Sequence, residues 1–352
     1  MSKKIKEFHQ KSIEQTDEFW AEQAKLIHWD SAFDQVLDYS KPPFAKWFLN
    51  GKTNLCFNAV DRHLDDRPDQ DAIIYVSTET NSECAISYRE LHQEVNKFAA
   101  LLKKQGVTKG DRVLIYMPMI PEAVYAMLAC VRIGAVHSVV FGGFAPSSLA
   151  QRVDDCSPRV MVTADAGMRG GRIIPYKVLV DEALELAQKP PEHVILVNRG
   201  LVDKLDWNAE RDIDYREAIQ SFNGETVEVE WLESNEPSYI LYTSGTTGKP
   251  KGVQRDTGGY AVALAASIRH IYDAKAGDTI FTTSDIGWVV GHSYIVYAPL
   301  IMGMTTLLYE GLPTAPDPGV WWSLVEKYNV NVMFSSPTAI RVLKKQDPKY
   351  ID

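Results

Sequence analysis

The chain has 352 residues, a length that favours two domains or one large α/β domain and allows a sizeable buried core. Hydrophobic residues make up 45% and charged residues 24% of it, which are ordinary values for a globular protein and exclude wholesale disorder. There are 37 Lys and Arg against 46 Asp and Glu, giving a net charge of −9. This balance argues against a protein that coats nucleic acid, although it allows a local basic pocket for a phosphate.

The first 57 residues differ from the rest of the chain. Apolar residues recur at helical spacing over 8–26, and a loop-like stretch rich in aromatic residues follows over 29–48. Large rings in a segment with few regular elements must lie against a larger body to be buried. We therefore expect residues 1–57 to form a cap on a domain that comprises residues 58–352.

From residue 58 onward, short β-rich runs alternate with amphipathic helices. The strands are predicted at 72–76, 113–116, 138–140, 160–162, 194–197, 239–242, 279–282, 305–309 and 332–334. The helices are predicted at 88–105, 121–133, 147–155, 178–187, 259–272, 321–328 and 338–345. This alternation predicts an α/β fold with largely parallel sheets flanked by helices, and the polar stretch 204–228 is expected to be a weakly packed excursion.

Targeting signals and membrane segments are not expected. The four cysteines (56, 84, 130 and 156) form no CxxC pair, which favours reduced cytosolic thiols over a disulfide framework or a zinc site. The basic start of the chain has no apolar region after it, so we predict no signal peptide. Residues 286–309 contain no Asp, Glu, Lys or Arg, but Pro299 and Gly303 predict a buried helix, a turn and a strand instead of a membrane span. The chain is therefore predicted to be soluble and cytoplasmic.

The strand predicted at 239–242 runs directly into a segment suited to a polyphosphate. Residues 243–252, TSGTTGKPKG, hold four hydroxyls, three glycines and two lysines, which together supply inward-facing amides, extra donors and positive charge. The segment is not a P-loop, because only two residues separate Gly245 from Gly248 and Lys249 is followed by Pro250. A generic P-loop ATPase is thereby excluded. The plain alternative is an exposed turn that leads into the helix near Gly259.

With the strand before it, this segment resembles the phosphate loop of the adenylate-forming enzymes, which include the acyl-CoA synthetases. The segments HSVVFGGF (137–144), GVQRD (252–256) and SDIGWVVGHSY (284–294) are similar to the short-chain branch of the family, and most similar to its propionate-activating members. The resemblance runs from about residue 7 to the end of the chain. It implies the N-terminal domain of such an enzyme.

The resemblance implies a two-step activity. Propionate attacks the α-phosphate of ATP to give propionyl-AMP and pyrophosphate, and the thiol of coenzyme A (CoA) then displaces AMP. Mg²⁺ would accompany ATP, although no metal ligand is identified in the chain. The residues that would hold the β- and γ-phosphates are Thr243, Ser244, Gly245, Thr246, Thr247, Gly248, Lys249 and Lys251, with Thr246 and Lys251 as catalytic residues.

A second motif joins two arginines through two glycines. Arg169-Gly170-Gly171-Arg172 makes a compact anion site, and a guanidinium group suits phosphate geometry. On spacing alone, a solvated basic turn remains open. The resemblance implies that this loop binds the phosphate-bearing nucleotide end of CoA, with Thr314 as a weaker CoA-binding candidate.

The third motif contains Trp288, Val289 and Val290. Its apolar residues read as core, and His292 as a buried histidine with satisfied hydrogen bonds. The resemblance implies that Trp288 gates the channel between acyl pocket and pantetheine and that Val289 lines a small acyl pocket. Acetate-type relatives have a threonine where this chain has Val290, so Val290 can contribute only packing.

Family members continue for almost as many residues again. The adenine, ribose and metal ligands and a C-terminal lid domain are expected beyond Asp352, so the chain is expected to be a truncated N-terminal part that is inactive alone. Acetate–CoA ligation is the near alternative, and a non-catalytic nucleotide- or CoA-binding module is an alternative from another class. The expected partners are small molecules, with no nucleic acid and no membrane.

Overall fold

The structure is a computed structural model that describes residues 3–243 and 250–346. Its strands, numbered in chain order, form two large sheets and several short hairpins: β1 (Gln35–Lys41), β2 (Phe44–Leu49), β3 (Lys52–Thr53), β4 (Asp71–Ser77), β5 (Ser82–Ser87), β6 (Arg112–Tyr116), β7 (Val136–Val139), β8 (Val160–Ala164), β9 (Gly167–Arg169), β10 (Arg172–Ile174), β11 (His193–Val197), β12 (Asp212–Asp214), β13 (Leu232–Glu233), β14 (Pro237–Thr243), β15 (Lys251–Asp256), β16 (Thr279–Thr283), β17 (Thr305–Glu310) and β18 (Val332–Ser335).

The helices lie between and around these strands: α1 (Lys3–Glu14), α2 (Thr16–Gln23), α3 (Leu55–Ala59), α4 (Tyr88–Lys104), α5 (Pro121–Arg132), α6 (Pro146–Cys156), α7 (Tyr176–Leu186), α8 (Tyr215–Ile219), α9 (Gly258–His270), α10 (Val289–Gly291), α11 (Ala298–Ile301), α12 (Val320–Lys327) and α13 (Pro337–Leu343). A π-helical segment, His292–Tyr297, joins α10 to α11, so residues 289–301 form one continuous helix. No helix in the described part of the chain is long and apolar enough to cross a bilayer.

The larger sheet has seven strands in the order β12–β11–β8–β6–β7–β14–β15. Its neighbouring strands run parallel except β14 and β15, which are antiparallel. The smaller sheet has five strands in the order β18–β16–β17–β4–β5, and only β4 and β5 pair antiparallel. The nine predicted strands and the α/β class with mainly parallel sheets are thus confirmed.

The two sheets enclose a central layer of helices. In β6, Val113 and Ile115 belong to the central core, whereas Leu114 and Tyr116 pack with residues of α6 and α7. The side chains of β4 divide in the same way, because Ile73 lies in the central core and Ile74 packs with residues of α12. Strands covered on both faces become continuous apolar runs, which explains the sequences of β6 and β11.

The central layer is most deeply buried at α5. Every residue of α5 except Glu122 is buried, and α5 packs against α3 and α4. The start of α4 is fixed by a capping box, in which the Ser87 hydroxyl and the Glu90 carboxylate satisfy each other's backbone amides. These helices leave the carboxyl ends of the parallel strands of both sheets uncovered.

The N-terminal segment packs on this body with more regular structure than its sequence predicts. The helix expected over 8–26 is present as α1 and α2, but the stretch expected to be loop-like contains the antiparallel hairpin β1–β2. Phe48 of β2 is 1% exposed and its ring centroid lies 5.4 Å from that of Trp29, whereas Tyr39 and Phe44 of the hairpin are 52% and 77% exposed. Hairpin residues that contribute rings to a shared cluster need not alternate strictly between polar and apolar.

The expectation of a weakly packed excursion at 204–228 is wrong. This stretch contributes the edge strand β12 and helix α8, and Tyr215, Phe222 and Val227 are buried. The ring of Tyr215 lies 5.1 Å from the ring of Phe98 in α4. Three well-spaced apolar residues anchor a segment that is otherwise polar.

Candidate functional site

A cleft of about 740 Å³ opens where the parallel strands of both sheets end. The larger sheet supplies residues that follow β6, β7 and β8, and the smaller sheet supplies residues that follow β4, β16, β17 and β18. The carboxyl ends of parallel strands are the common location of ligand sites in open α/β sheets. Residues used below that line the cleft are Glu79, Phe141, Arg169, Asp285, Trp288, Val289, Val290, Glu310 and Leu312.

The two arginines of the second motif lie on a tight hairpin at one wall of this cleft. Arg169 ends β9, Arg172 begins β10, and the two are directly paired across the strands. Gly170 and Gly171 form the two-residue turn with φ values of +62° and +73°, which side-chain-bearing residues rarely adopt. All four residues are exposed. The glycines are therefore required by the turn itself, and the turn brings the two guanidinium groups to one end of the hairpin.

The amides of this turn bind a carboxylate from another part of the chain. Gly170 N–H donates to Glu79 Oε1 at 2.6 Å, and Gly171 N–H donates to Glu79 Oε2 at 2.9 Å. Glu79 lies in the loop between β4 and β5, on the smaller sheet. No local pattern in the sequence marks Glu79, because only the tertiary structure places it beside the arginine motif, which begins 90 residues further along the chain.

A buried ion pair joins the two sheets beneath the cleft. The two terminal nitrogens of the Arg199 guanidinium, Nη1 and Nη2, donate to the Glu310 carboxylate at 2.8 and 2.7 Å. The side chains of Arg199 and Glu310 are 11% and 4% exposed. Tyr75 and Ser77 donate hydroxyl hydrogen bonds to the same carboxylate at 2.7 and 2.8 Å. Arg199 also donates to the carbonyl of Ala166 at the base of the arginine hairpin. The pair thus fixes the position of the hairpin relative to the smaller sheet.

Trp288 and Val289 form another part of the cleft wall, with 48% and 47% of their surface exposed. The Trp288 ring lies 5.6 Å from that of Phe141, which follows β7 of the larger sheet. Gly287 allows this approach, since a Cβ there would lie 2.7 Å from the Phe141 Cα. Val290 is half-buried and also lines the cleft. The structure therefore brings the predicted acyl-pocket residues together with the arginine hairpin in one cleft.

Asp285 carries the most perturbed carboxyl group that lines the cleft. Burial raises the pKa of Asp285 to about 6, while a 2.7 Å hydrogen bond from the Gly287 amide and the positive charge of Arg169 act in the opposite direction. A carboxyl group of this kind changes its protonation near neutral pH. Asp285 lies in the motif SDIGW, but the sequence pattern of that motif does not indicate a role for its carboxyl group.

The hydroxyl- and glycine-rich segment lies in the sequence between the paired strands β14 and β15. Thr243 is the last residue of β14 and Lys251 the first of β15, and they are directly paired. The predicted phosphate-binding residues between them lie outside the described residues: Ser244, Gly245, Thr246, Thr247, Gly248 and Lys249. Strand β14 runs parallel to β7, so Thr243 lies at the carboxyl end of a strand of the larger sheet, and its neighbour Tyr242 lines a second groove.

The base of this hairpin is anchored in the core. Tyr239 is fully buried and its ring lies 5.2 Å from that of Tyr260 in α9, while Tyr242 donates a 2.6 Å hydrogen bond to Asp155 of α6. Lys251 is exposed and lines a second groove of about 580 Å³ with Arg112. Both ends of the segment are thus fixed by buried or hydrogen-bonded neighbours.

Two further predicted residues have a different setting from the one expected. Thr314 does not line the cleft, although Leu312 and Pro313 just before it do. His292 is fully buried as predicted, but neither of its ring nitrogens has a hydrogen-bond partner among the described residues. Burial lowers the pKa of His292 to about 4, so that its ring is neutral at physiological pH. The expected satisfied histidine is therefore wrong in this respect.

The described residues offer no group of three or more His, Cys, Asp or Glu side chains that could hold a metal ion. Oxygen-rich clusters of that kind are what Mg²⁺ uses in all-protein sites, whereas nucleotide-dependent sites use one or two carboxylates. An Mg²⁺ ion bound together with ATP therefore does not require such a group.

Comparison with known proteins shows similarity over nearly the whole chain. Residues 60–351 match the family described as AMP-binding enzyme, and residues 5–59 match the acetyl-coenzyme A synthetase N-terminus. Propionate–CoA ligases of Salmonella typhimurium and Escherichia coli are 62% and 61% identical over 339 residues, which are 96% of this chain and 54% of each relative. Acetyl-coenzyme A synthetase of Methylorubrum extorquens is 46% identical over 344 residues, 97% of this chain and 53% of the relative.

The chain thus spans about half the length of the curated relatives that it matches. The match to the AMP-binding enzymes covers most of its own length and includes both the arginine hairpin and the strand β14 with the segment that follows. The chain belongs to the family of AMP-binding enzymes.

Proposed function

We propose that the protein containing this chain ligates propionate to CoA, using ATP and forming propionyl-AMP as an intermediate. The observation that carries the proposal is a single cleft lined by Arg169 of the arginine hairpin and by Trp288 with Val289 and Val290. The names of the relatives at 62% and 61% identity support propionate over acetate as the acid.

The first step transfers the adenylyl group. A propionate oxygen attacks the α-phosphorus of ATP, and the bond to the bridging oxygen breaks as pyrophosphate leaves. Hydroxyls, amides and ammonium groups between Thr243 and Lys251 would hold the β- and γ-phosphates and neutralise the charge that develops on the leaving group. The direct pairing of Thr243 with Lys251 supports this role, because it brings the two ends of the segment together in one hairpin. Lys251 and Thr246 would be the catalytic residues of this step.

The second step forms the thioester. The CoA sulfur attacks the acyl carbon, and the bond from that carbon to the AMP oxygen breaks. Arg169 and Arg172 would hold the phosphate-bearing end of CoA, and Trp288 would separate the pantetheine channel from the pocket formed by Val289 and Val290. The proximity of these groups in one cleft supports this division of roles.

Four coarser expectations belong to the same proposal. Residues 1–57 would act as a cap on the AMP-binding domain of residues 58–352, consistent with the packing of α2 on α9. The partners would be small molecules, namely propionate, ATP and CoA. The protein would be located in the cytoplasm, where these substrates are found. Mg²⁺ would accompany ATP; the described residues contain no group of three or more His, Cys, Asp or Glu side chains that could hold it, and neither step above is assigned to the ion.

Isotope exchange between pyrophosphate and ATP tests the first step in the full-length protein. We expect exchange that depends on propionate and is weaker with acetate or butyrate, and Lys251→Ala should reduce it at least tenfold because one charge-assisted contact is lost. Lys275→Ala removes a lysine from the turn before β16 and serves as the matched control. Exchange supported equally by acetate would favour the acetate ligase, and binding of nucleotide or CoA without any exchange would favour the non-catalytic module.

A further inference from the structure

The turn of the arginine hairpin holds a carboxylate in a position suited to a ligand anion. Two consecutive amides, those of Gly170 and Gly171, converge on the two oxygens of Glu79 at 2.6 and 2.9 Å. Backbone amides arranged in this way form a binding site for an oxyanion. A phosphate group presents the same kind of paired oxygen acceptors as a carboxylate, with more negative charge to attract the donors.

The charged groups around this turn do not pair with one another. Within residues 3–243 and 250–346, the guanidinium groups of Arg169 and Arg172 make no hydrogen bond or ion pair, and Glu79 has no ion-pair partner. Each guanidinium group has five N–H donors that remain available for other acceptors. The turn therefore keeps its two cations free while an internal anion occupies its amides.

The backbone that carries Glu79 is fixed, so its side chain can leave the amides without rearranging the sheet. Thr78 N–H donates to the Glu310 carbonyl at 3.1 Å, and Thr80 N–H donates to the Ser77 hydroxyl at 3.1 Å. Glu79 itself is half-buried and lines the cleft. Rotation about its side-chain bonds is enough to expose the two amides to the cleft.

We propose that Glu79 is an internal competitor that a phosphate group of the ligand displaces from the amides of Gly170 and Gly171. The released amides and the guanidinium groups of Arg169 and Arg172 then bind the phosphate together. The inference rests on the proposed function in that the ligand is CoA. A phosphate dianion can compete with the carboxylate, whereas the uncharged pantetheine arm cannot. Glu79 thereby sets both the affinity of the hairpin and its selectivity for phosphorylated ligands.

Calorimetric titration of the full-length protein with adenosine 3′,5′-bisphosphate, the nucleotide end of CoA, tests the proposal. We expect Glu79→Gln to lower the Kd about tenfold, because the side chain no longer competes as an anion or repels the phosphate. Glu83→Gln is the matched control, since it removes the same charge from β5, where Glu83 pairs with Lys327 at 2.6 Å. The control should change the Kd less than twofold.

A Kd that is unchanged or higher in Glu79→Gln overturns the proposal, since Glu79 would then be irrelevant or would support the hairpin. A crystal structure of the wild-type complex gives a second test. We expect phosphate oxygens within hydrogen-bond distance of both turn amides, and Glu79 still bound to those amides beside the ligand overturns the proposal. Absence of pyrophosphate exchange in the wild type would instead refute the ligase function, and the titration would still decide the role of Glu79.

Discussion

At Gly287 the backbone of one sheet's loop touches the backbone of the other. A Cβ on this residue would lie 2.7 Å from the Cα and 2.8 Å from the nitrogen of Phe141, atoms that cannot rotate away. The same contact brings the Trp288 ring to 5.6 Å from the Phe141 ring. The closeness of Trp288 to Phe141 in the cleft wall therefore depends on the absence of a side chain at position 287.

Gly287→Ala should push the two loops apart and destabilise the protein by about 1–3 kcal/mol, as other overpacked sites do. We expect the KM for propionate to rise about tenfold, because the valines and Trp288 no longer close on a short acyl chain. Thermal unfolding and steady-state kinetics measure the two effects. Gly200→Ala is the control, because its φ of +72° makes alanine strained there but nothing lies within 4 Å of the added Cβ. A similar rise in KM in both variants would contradict the steric explanation.

At the scale of a single element, the β9–β10 hairpin concentrates positive charge in an acidic protein. Its two-residue turn leaves Arg169 and Arg172 directly opposite each other, where like charges repel. Such an arrangement is stabilised when an anion lies between or beside the two groups. We therefore expect an anion bound at this turn to stabilise the hairpin.

Arg169→Ala combined with Arg172→Ala should raise the KM for CoA about a hundredfold, or about tenfold for each charge-assisted contact that is lost. Pyrophosphate exchange should fall much less, because CoA does not take part in the first step. The double variant Arg89→Ala with Arg159→Ala removes the same charge from two exposed sites and should leave the KM for CoA within twofold. An equal loss in both half-reactions would contradict a role specific to CoA.

At the scale of the whole molecule, the two sheets must keep their relative position for the cleft to keep its shape. Arg199 and Glu310 link the sheets through a two-point ion pair that is almost fully buried. Breaking one partner of such a pair leaves an uncompensated buried charge, which is strongly unfavourable. The central helices add an apolar layer that packs against both sheets and helps to hold them in place below the cleft.

The same buried core makes folding sensitive to acid. Burial lowers the pKa of both His63 and His292 to about 4, from an ordinary value of 6.5. The unfolded chain thus binds more protons than the native state between about pH 4 and pH 6.5, so stability is complete above pH 6.5 and is lost as the pH falls through that range. Asp285 partly opposes this trend, because its raised pKa favours the native state on acidification.

His63→Gln should reduce the loss of stability between pH 7.5 and pH 5 by about 2 kcal/mol. Glutamine can still donate to the Leu300 carbonyl, which lies 2.8 Å from His63 Nε2, but it takes up no proton. Urea unfolding at the two pH values measures the change. His9→Gln on exposed helix α1 is the control and should leave the pH dependence as in the wild type. An identical pH dependence in His63→Gln would contradict the assignment.

Local patterns were enough to predict the elements that lie in the interior. The continuous apolar runs of β6 and β11 and the helical periodicity of α4 identify buried elements, since burial on several sides requires such patterns. Edge elements were missed, among them β15, whose residues are nearly all exposed and include Gly252. An edge strand is held by backbone pairing with its neighbour, and backbone pairing leaves little trace in side-chain pattern.

The sequence by itself determined the class of fold and the family, and it singled out the motif at 169–172 and the segment at 243–252, because glycines, hydroxyls and cations at fixed spacing are local properties. Only the tertiary structure decided which distant residues meet them. Glu79 reaches the hairpin amides, Arg199 reaches Glu310, and Gly287 meets Phe141 because separate strands end at one edge. Such contacts depend on strand order and sheet packing, which are fixed by the summed burial of the whole core and not by any single segment.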